Sequence, residues 1–320
     1  MTAYAPISLS DIYDARRRIE GAALRTPLVR LNADDAPAQI YLKLENLQPI
    51  GSFKLRGAAN LILQTDRDKL SEGVWTASAG NMAQGVAWCA RRLGLRCTVI
   101  VPETAPATKV AAVERYGAQI VKVTFDTWLE VFRTRCYPGM QGVFVHAFSD
   151  PAVMAGNGTI GLEILEDLPD VGAVVVPYGG GGLSCGIASA IRALKPDTKV
   201  YAAEVEMGAP LVASLAAGEP IKVPYTPSFV DGIGAPMVFT EMWQLARELL
   251  EGSLVSSVEE IAGAIGLLVE RNHVVAEGAG AASVAAALAG RAGGGKVVCV
   301  VSGGNIDTAK LVKILGGEVP

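Results

Sequence analysis

Short runs of β-branched and apolar residues recur along the chain, at positions 74–77, 97–102, 118–123, 142–147, 173–177, 199–205 and 296–302. Several are apolar throughout rather than alternating with polar residues, as strands covered on both faces are. Stretches of helical character separate most of them, at 83–93, 107–116, 183–194, 258–271 and 279–289. This strand–helix alternation predicts an α/β fold with parallel sheets flanked by helices. Four runs fall before position 148 and three after 172, which divides the chain into a small domain at 69–147 and a large one made of 1–68 and 148–320. Open sheets of this kind bind ligands beyond the C-terminal ends of their strands. The loops that follow the runs are therefore where chemistry is expected.

Composition narrows the picture. Half of the 320 residues are hydrophobic and 19% are charged, enough apolar surface for a large core and too little charge for disorder. The formal net charge is −4 and no Lys/Arg run stands out, which argues against a nucleic-acid partner. Cys89, Cys97, Cys136, Cys185 and Cys299 form no CxxC pair, and His146 and His273 do not complete a zinc site at these spacings. No metal is expected, and the cysteines read as reduced core residues of a cytoplasmic protein. The N-terminus MTAYAPISLSDIYDARRR lacks an apolar segment after a basic start, so no signal peptide is expected. The Ala/Gly-rich stretch 278–290 is too short for a bilayer span and reads as a packed helix, so no membrane association is expected.

Three loops stand out. In SASAGNMAQG a strand runs into Ser78-Ala79-Gly80-Asn81 and then a helix from about Met82. Read alone, Ser78 and Asn81 are ordinary helix caps; the free N–H groups beside them are also suited to a substrate carboxylate. In AVVVPYGGGGLSCG a buried strand ends at Pro177 and Gly179–Gly182 lead to a helix near Leu183. Four glycines leave the amides open to a phosphate at the positive end of that helix. The loop lacks GK[ST] and misses GxGxxG in every register, yet Glu204 at the end of the next strand stands where a ribose-binding acid would. In QPIGSFKLRGAAN, Lys54 follows Gly51-Ser52-Phe53 at a loop-to-helix junction. A lysine there is ordinarily a solvated helix start. In the company of a phosphate loop, a carboxylate loop and the aromatic Phe53, it fits an aldehyde cofactor with a phosphate tail. Ser302, past the last buried run, is either a turn serine or a partner for a ring nitrogen.

With these residues on the page the chain resembles the threonine/serine dehydratase and serine racemase group of pyridoxal-phosphate (PLP) enzymes, of the tryptophan-synthase-β-like fold (fold type II). The resemblance spans about 8–307 in consistent order through KLENLQPIGSFKLRGA, ASAGNMAQGVA, DPAVMAGNGTI, VPYGGGGLSCG, VDGIG, EGAGAAS and SGGNID. It implies that Lys54 is the Schiff-base lysine and the base at Cα, and that Phe53 packs on the cofactor ring. It further implies that Asn81 bonds the ring hydroxyl, with Ser78, Ala79 and Gly80 at the substrate carboxylate. Gly179, Gly180, Gly181, Gly182 and the Leu183 amide should cradle the phosphate, and Ser302 should face the pyridine nitrogen. A serine there, unlike a carboxylate, leaves the ring a weaker electron sink, which suits loss of a β-leaving group. The reaction implied is elimination of water from a 3-hydroxy amino acid to give a 2-oxo acid and ammonia. A homo-oligomer, most simply a dimer, is implied as well.

The departures shape the remaining expectations. The group's usual GNH is Gly80-Asn81-Met82 here, and the racemases' second serine is Ala79, which argues for elimination over racemisation. The group's cation site would pair Glu204 with an acid where Pro210 stands. Met82, with Trp128 in a loop expected to open toward the same cleft, points to a pocket that would admit a bulkier 3-aryl substrate such as phenylserine. The alternative is that Met82 fills a gap and Trp128 packs between lobes. A racemase, a β-replacement enzyme and a non-catalytic PLP- or nucleotide-binding protein are the rival readings.

Overall fold

A computed structural model describes residues 4–320; the first three residues of the N-terminal stretch read above lie outside the described residues. Its strands are β1 (Leu28–Arg30), β2 (Gln39–Lys43), β3 (Val74–Ala77), β4 (Cys97–Pro102), β5 (Gln119–Val123), β6 (Val143–Phe144), β7 (Ala173–Pro177), β8 (Lys199–Val205), β9 (Gly252–Ser256) and β10 (Lys296–Val300). They form a six-stranded sheet in the order β1-β2-β10-β7-β8-β9 and a four-stranded sheet in the order β5-β4-β3-β6. Every pairing is parallel except that of β1 with β2. The smaller sheet is drawn wholly from residues 74–144 and the larger from residues on either side of them.

The helices are α1 (Leu9–Arg18), α2 (Lys54–Gln64), α3 (Arg67–Leu70), α4 (Asn81–Leu93), α5 (Ala107–Glu114), α6 (Phe125–Thr134), α7 (Pro151–Asp167), α8 (Gly182–Leu194), α9 (Pro210–Ala217), α10 (Thr240–Leu249), α11 (Val258–Asn272), α12 (Gly278–Leu288) and α13 (Thr308–Leu315). The five helical stretches expected from the pattern appear as α4, α5, α8, α11 and α12, with ends moved by one or two residues. The strands β2 and β9 escape the pattern. QIYLK and GSLVS are short and carry polar residues, and neither is an uninterrupted apolar run. The run at 142–147 pairs over Val143–Phe144 only, and His146 and Ala147 leave the sheet to form a turn into α7. Among the described residues no helix is long and apolar enough to cross a membrane.

Helix α2 carries Lys54 at its first position, and its placement is set by charge buried behind it. Arg56 is 1% exposed. Its Nη2 donates to Glu45 Oε1 at 2.7 Å and its Nη1 to Glu163 Oε1 at 2.6 Å. Nη1 also donates to the Thr159 hydroxyl and Nη2 to the Leu24 carbonyl. Lys43 is likewise fully buried, with Nζ 2.6 Å from Glu163 Oε2 and donating to the Thr26 carbonyl. Two cations thus face two carboxylates, with further bonds to the remaining donors, the condition under which ions are tolerated in a core. Burial would raise the Glu45 carboxyl, but the charge and hydrogen bonds of Arg56, with the Thr26 hydroxyl and Lys43, together hold it below the usual carboxylate range. Helix α7 approaches α2 closely at Gly156, where a β-carbon would stand 2.5 Å from the Arg56 carbonyl.

Removing one partner leaves the others buried and uncompensated. Arg56→Met should lower the stability of the chain by about 3–5 kcal/mol at pH 7. With the guanidinium gone, burial leaves Glu45 binding a proton more readily folded than unfolded, so the loss should shrink as pH falls toward 5. Urea unfolding of both proteins at pH 7 and pH 5 measures it, and a loss that grows on acidification would contradict the account.

Candidate active site

The C-terminal ends of β3, β7 and β10 and the start of α2 converge on one cleft. Phe53 N–H donates to the Ser302 carbonyl at 3.0 Å, and Ser52 bridges to Gly303, so the loop before Lys54 is tied to the loop after β10. Lys54 is half-buried, and its Nζ donates to the Ala147 carbonyl at 2.6 Å and lies 5.0 Å from the centre of the Phe53 ring. Desolvation lowers the Lys54 amine to about 8, opposed by the Glu277 carboxylate. An amine so placed is still mostly protonated at pH 7 but gives up its proton far more readily than an ordinary lysine, moving toward the uncharged state a nucleophile or base requires.

The glycine loop lies on the other side of the same turn. A β-carbon on Gly180 would stand 2.1 Å from the Phe148 ring, and one on Gly182 would stand 2.6 Å from the Phe148 carbonyl. Gly181 has φ +87°, in the left-handed region, and as N-cap of α8 it offers no side chain to the helix. The first-turn amides of Gly182, Leu183 and Ser184 therefore have neither intrahelical acceptors nor a capping side chain, an arrangement suited to an anion. Helix α4 begins at Asn81 in the same way, with Gly80 as N-cap and no side-chain cap. Ser78, expected as a possible cap, instead accepts the Gly80 N–H at 3.2 Å. Ser302 is 2% exposed at the end of β10, and the Ser52 hydroxyl is buried with no partner among the described residues.

Two further residues belong to this cleft and were not singled out by the sequence. Asn81 Nδ2 donates to Glu277 Oε1 at 2.8 Å, and Asn305 Nδ2 donates to Asn81 Oδ1 at 2.8 Å. The Asn81 amide is thereby fixed in orientation, with one N–H to spare. Glu277 is raised to about 7, first by desolvation and then by Asp231, against the Asn81 hydrogen bond and the charges of Lys109 and Lys54. Its signal was a lone acid ahead of GAGAAS, at the N-cap of α12.

Several expectations are corrected. Met82 does not face the cleft: it is 1% exposed and belongs to the apolar core formed by α2, α4 and the smaller sheet. Helical periodicity turns it inward, one position past Asn81. Trp128 is not in a loop. Thr124 caps α6 through the Thr127 N–H, which brings Trp128 into the helix, stacked on Phe132 at 5.4 Å between ring centres. The indole is half-buried and its Nε1 has no partner among the described residues. Ala79 is half-buried against the α4 core. Glu204 takes neither a ribose-binding nor a cation-binding posture. Its oxygens accept the Leu211 N–H at 2.8 Å, the Val212 N–H at 2.9 Å and the Ser253 hydroxyl at 2.6 Å, capping α9 behind Pro210.

Comparison with known proteins places this geometry. A family model described as "Pyridoxal-phosphate dependent enzyme" matches residues 19–303. The chain belongs to that family. An L-threonine ammonia-lyase of Thermotoga maritima is 42% identical over 314 residues, covering 97% of this chain and 78% of its own. The catabolic L-threonine dehydratase TdcB of Escherichia coli is 38% identical over 319 residues and covers 97% of both chains. Among solved structures, maize serine racemase superposes with a TM-score of 0.90 at 31% identity over 98% of each chain. The chain is a PLP-dependent ammonia-lyase with the type II fold of this family.

The cleft fits the cofactor on its own terms. The glycine loop carries no side chain over its amides, the first turn of α8 is uncapped, and a lysine with a lowered pKa is bonded to the turn whose Phe148 packs on that loop. Lys54, Asn81, Ser302 and the amides at 179–183 are the groups that would hold it.

A lysine kept below its ordinary value weakens the protein when the cofactor is removed. Between about pH 8 and the ordinary 10.5 the unfolded chain binds more protons at Lys54 than the folded one, so folding is penalised below that window and the penalty fades through it. Cofactor-free Lys54→Met should be more stable than the parent at pH 7 by on the order of 2 kcal/mol. The advantage should decline as pH rises through 8 toward 10. Denaturant unfolding of the two cofactor-free proteins across that range is the measurement; equal stabilities at pH 7 would contradict the burial cost.

Proposed function

We propose that this enzyme removes water from a small 3-hydroxy amino acid of the L-threonine or L-serine type, yielding the 2-oxo acid and ammonia. The observation that carries the proposal is the Lys54 amine, half-buried with a lowered pKa and bonded at 2.6 Å to the Ala147 carbonyl. The names of the sequence relatives, an L-threonine ammonia-lyase and an L-threonine dehydratase, support the substrate class. In this reading residues 69–147 act as a small lobe above a large lobe of 1–68 and 148–320, and two copies associate.

When bound, pyridoxal phosphate supplies an electron-withdrawing ring that acidifies the substrate Cα proton and lets the Cβ hydroxyl depart. Lys54 would hold the cofactor, and its Nζ is the base placed to accept the substrate Cα proton. The uncapped amides of α8, with Gly179–Gly182 and Leu183, bind the phosphate. Phe53 would pack on the cofactor ring, the spare Asn81 N–H would be available to its hydroxyl and Ser302 to its nitrogen. Ser78, Ala79, Gly80 and the open first turn of α4 receive the substrate carboxylate.

Racemisation is the second reading, favoured by the close superposition on maize serine racemase. It needs a proton donor on the face of Cα opposite Lys54. Ala79 has none, so elimination is preferred. A bulkier 3-aryl substrate such as phenylserine loses one of its two supports because Met82 is in the core. The remaining support is the row of rings from Trp128 through Phe132 to Phe148.

Lys54→Ala should lower turnover of L-threonine by several orders of magnitude, since attachment and proton transfer are lost together. The assay follows 2-oxo acid and ammonia, and full activity in the variant would overturn the assignment. The parent enzyme should form little D-isomer by chiral chromatography and should prefer L-threonine to phenylserine in kcat/KM. A D-enantiomer as main product would favour racemisation, and a reversed preference would favour the 3-aryl substrate.

A further inference from the structure

The turn that supplies the Ala147 carbonyl is organised by a buried imidazole. His146 is 3% exposed, and its Nδ1 accepts the Ser149 N–H at 2.9 Å and the Phe148 N–H at 3.3 Å. The Ser149 hydroxyl lies 3.0 Å from the same nitrogen. Two backbone donors aimed at Nδ1 leave no place for a proton there, so the ring is neutral with its hydrogen on Nε2. The groups around it agree. Burial first, and then the cations Arg135, following α6, and Lys54, at the start of α2, lower His146 to about 3, against the Phe132 carbonyl of α6, the one contact that favours the protonated ring. Arg135 also donates to the Ser149 carbonyl at 2.6 Å, pinning the far side of the turn. The rings of Phe132 and Phe148 lie 4.6 and 4.7 Å from the imidazole, centre to centre. Ala147 sits inside the turn so framed, its carbonyl directed at Lys54 Nζ.

We propose that His146 is a positioning residue for Lys54. By accepting the two N–H groups that follow Ala147, it holds the turn that aims the Ala147 carbonyl at the amine, and so sets the pH at which Lys54 gives up its proton. The proposal rests on the role assigned to Lys54 above. A carbonyl acceptor favours ammonium over amine, so loosening the turn lowers that pH.

The test strips the full-length protein of cofactor and follows covalent capture of added pyridoxal phosphate by visible absorbance between about pH 6 and 10. Capture requires the uncharged amine, so its midpoint tracks Lys54. His146→Phe keeps the aromatic packing and removes the acceptor. Its midpoint should fall by about one pH unit. His146→Asn, which restores an acceptor oxygen, should return most of the way to the parent. Circular dichroism and thermal unfolding establish that each variant is folded. An unchanged midpoint in folded His146→Phe overturns the proposal. If that variant does not fold, His146→Leu takes the same measurement with the same criterion, and failure of both to fold overturns it in favour of a purely structural histidine. Lys54→Ala run alongside separates the two ideas: capture undiminished there defeats the Lys54 assignment itself.

Discussion

The buried ion cluster of Arg56, Lys43, Glu45 and Glu163 is the constraint on which the site depends. Charges in a core are expensive unless each is answered, and here two cations and two carboxylates answer one another across β2, the turn after it, α2 and α7. The cluster contributes little net stability compared with an apolar packing of equal volume. What it does is specify. A guanidinium with five directed donors accepts one arrangement of its neighbours, and Arg56 lies two residues beyond Lys54 on the same helix. The register of α2 against α7, and with it the height at which the lysine enters the cleft, follows from that arrangement.

A second layer of the design is electrostatic. The cleft gathers the starts of α2, α4, α8 and α12, none of which has an N-cap side-chain bond; α3, α5, α9 and α10 also lack one, whereas α1, α6, α7, α11 and α13 are capped by their own Ser, Thr or Asp. Uncapped starts carry partial positive charge. Into that field the chain sets an amine with a lowered pKa and a glutamate with a raised one, so each of the two exchanges its proton closer to neutral pH than an ordinary lysine or glutamate does.

How much of this was legible in the sequence depended on how local the signal was. Strands buried on both faces announce themselves as apolar runs, so β3, β4, β7, β8 and β10 were read correctly, and with them α4, α5, α8, α11 and α12, whereas α6, α7, α9 and α10 were not. The glycine loop and the lysine were recognisable because backbone exposure and a reactive amine each need specific residues in a short span. Strand β2 was missed because Lys43 looks like a surface residue until Glu163, far away in sequence, is brought beside it. Glu277 and His146 were missed for the same reason: each acts through one or more partners distant in the chain or in a turn that only the fold creates. Met82 and Trp128 failed differently. Both were treated as loop neighbours of the cleft, but helix α4 begins one residue early and α6 begins where a loop was expected, and 3.6-residue periodicity then decides which way each side chain points.

The fit between Phe148 and the glycine loop has an evolutionary side. The ring occupies the space that a side chain on Gly180 would need, and its backbone occupies that of Gly182. The loop is therefore no slack segment awaiting a ligand but a mould cast around an aromatic ring. Drift at position 180 toward any larger residue is blocked until position 148 has shrunk, and a smaller residue at 148 opens a void beside the cradle until 180 grows. Descendants of this protein can cross that ground only by paired steps, which makes the two positions inherit as one character.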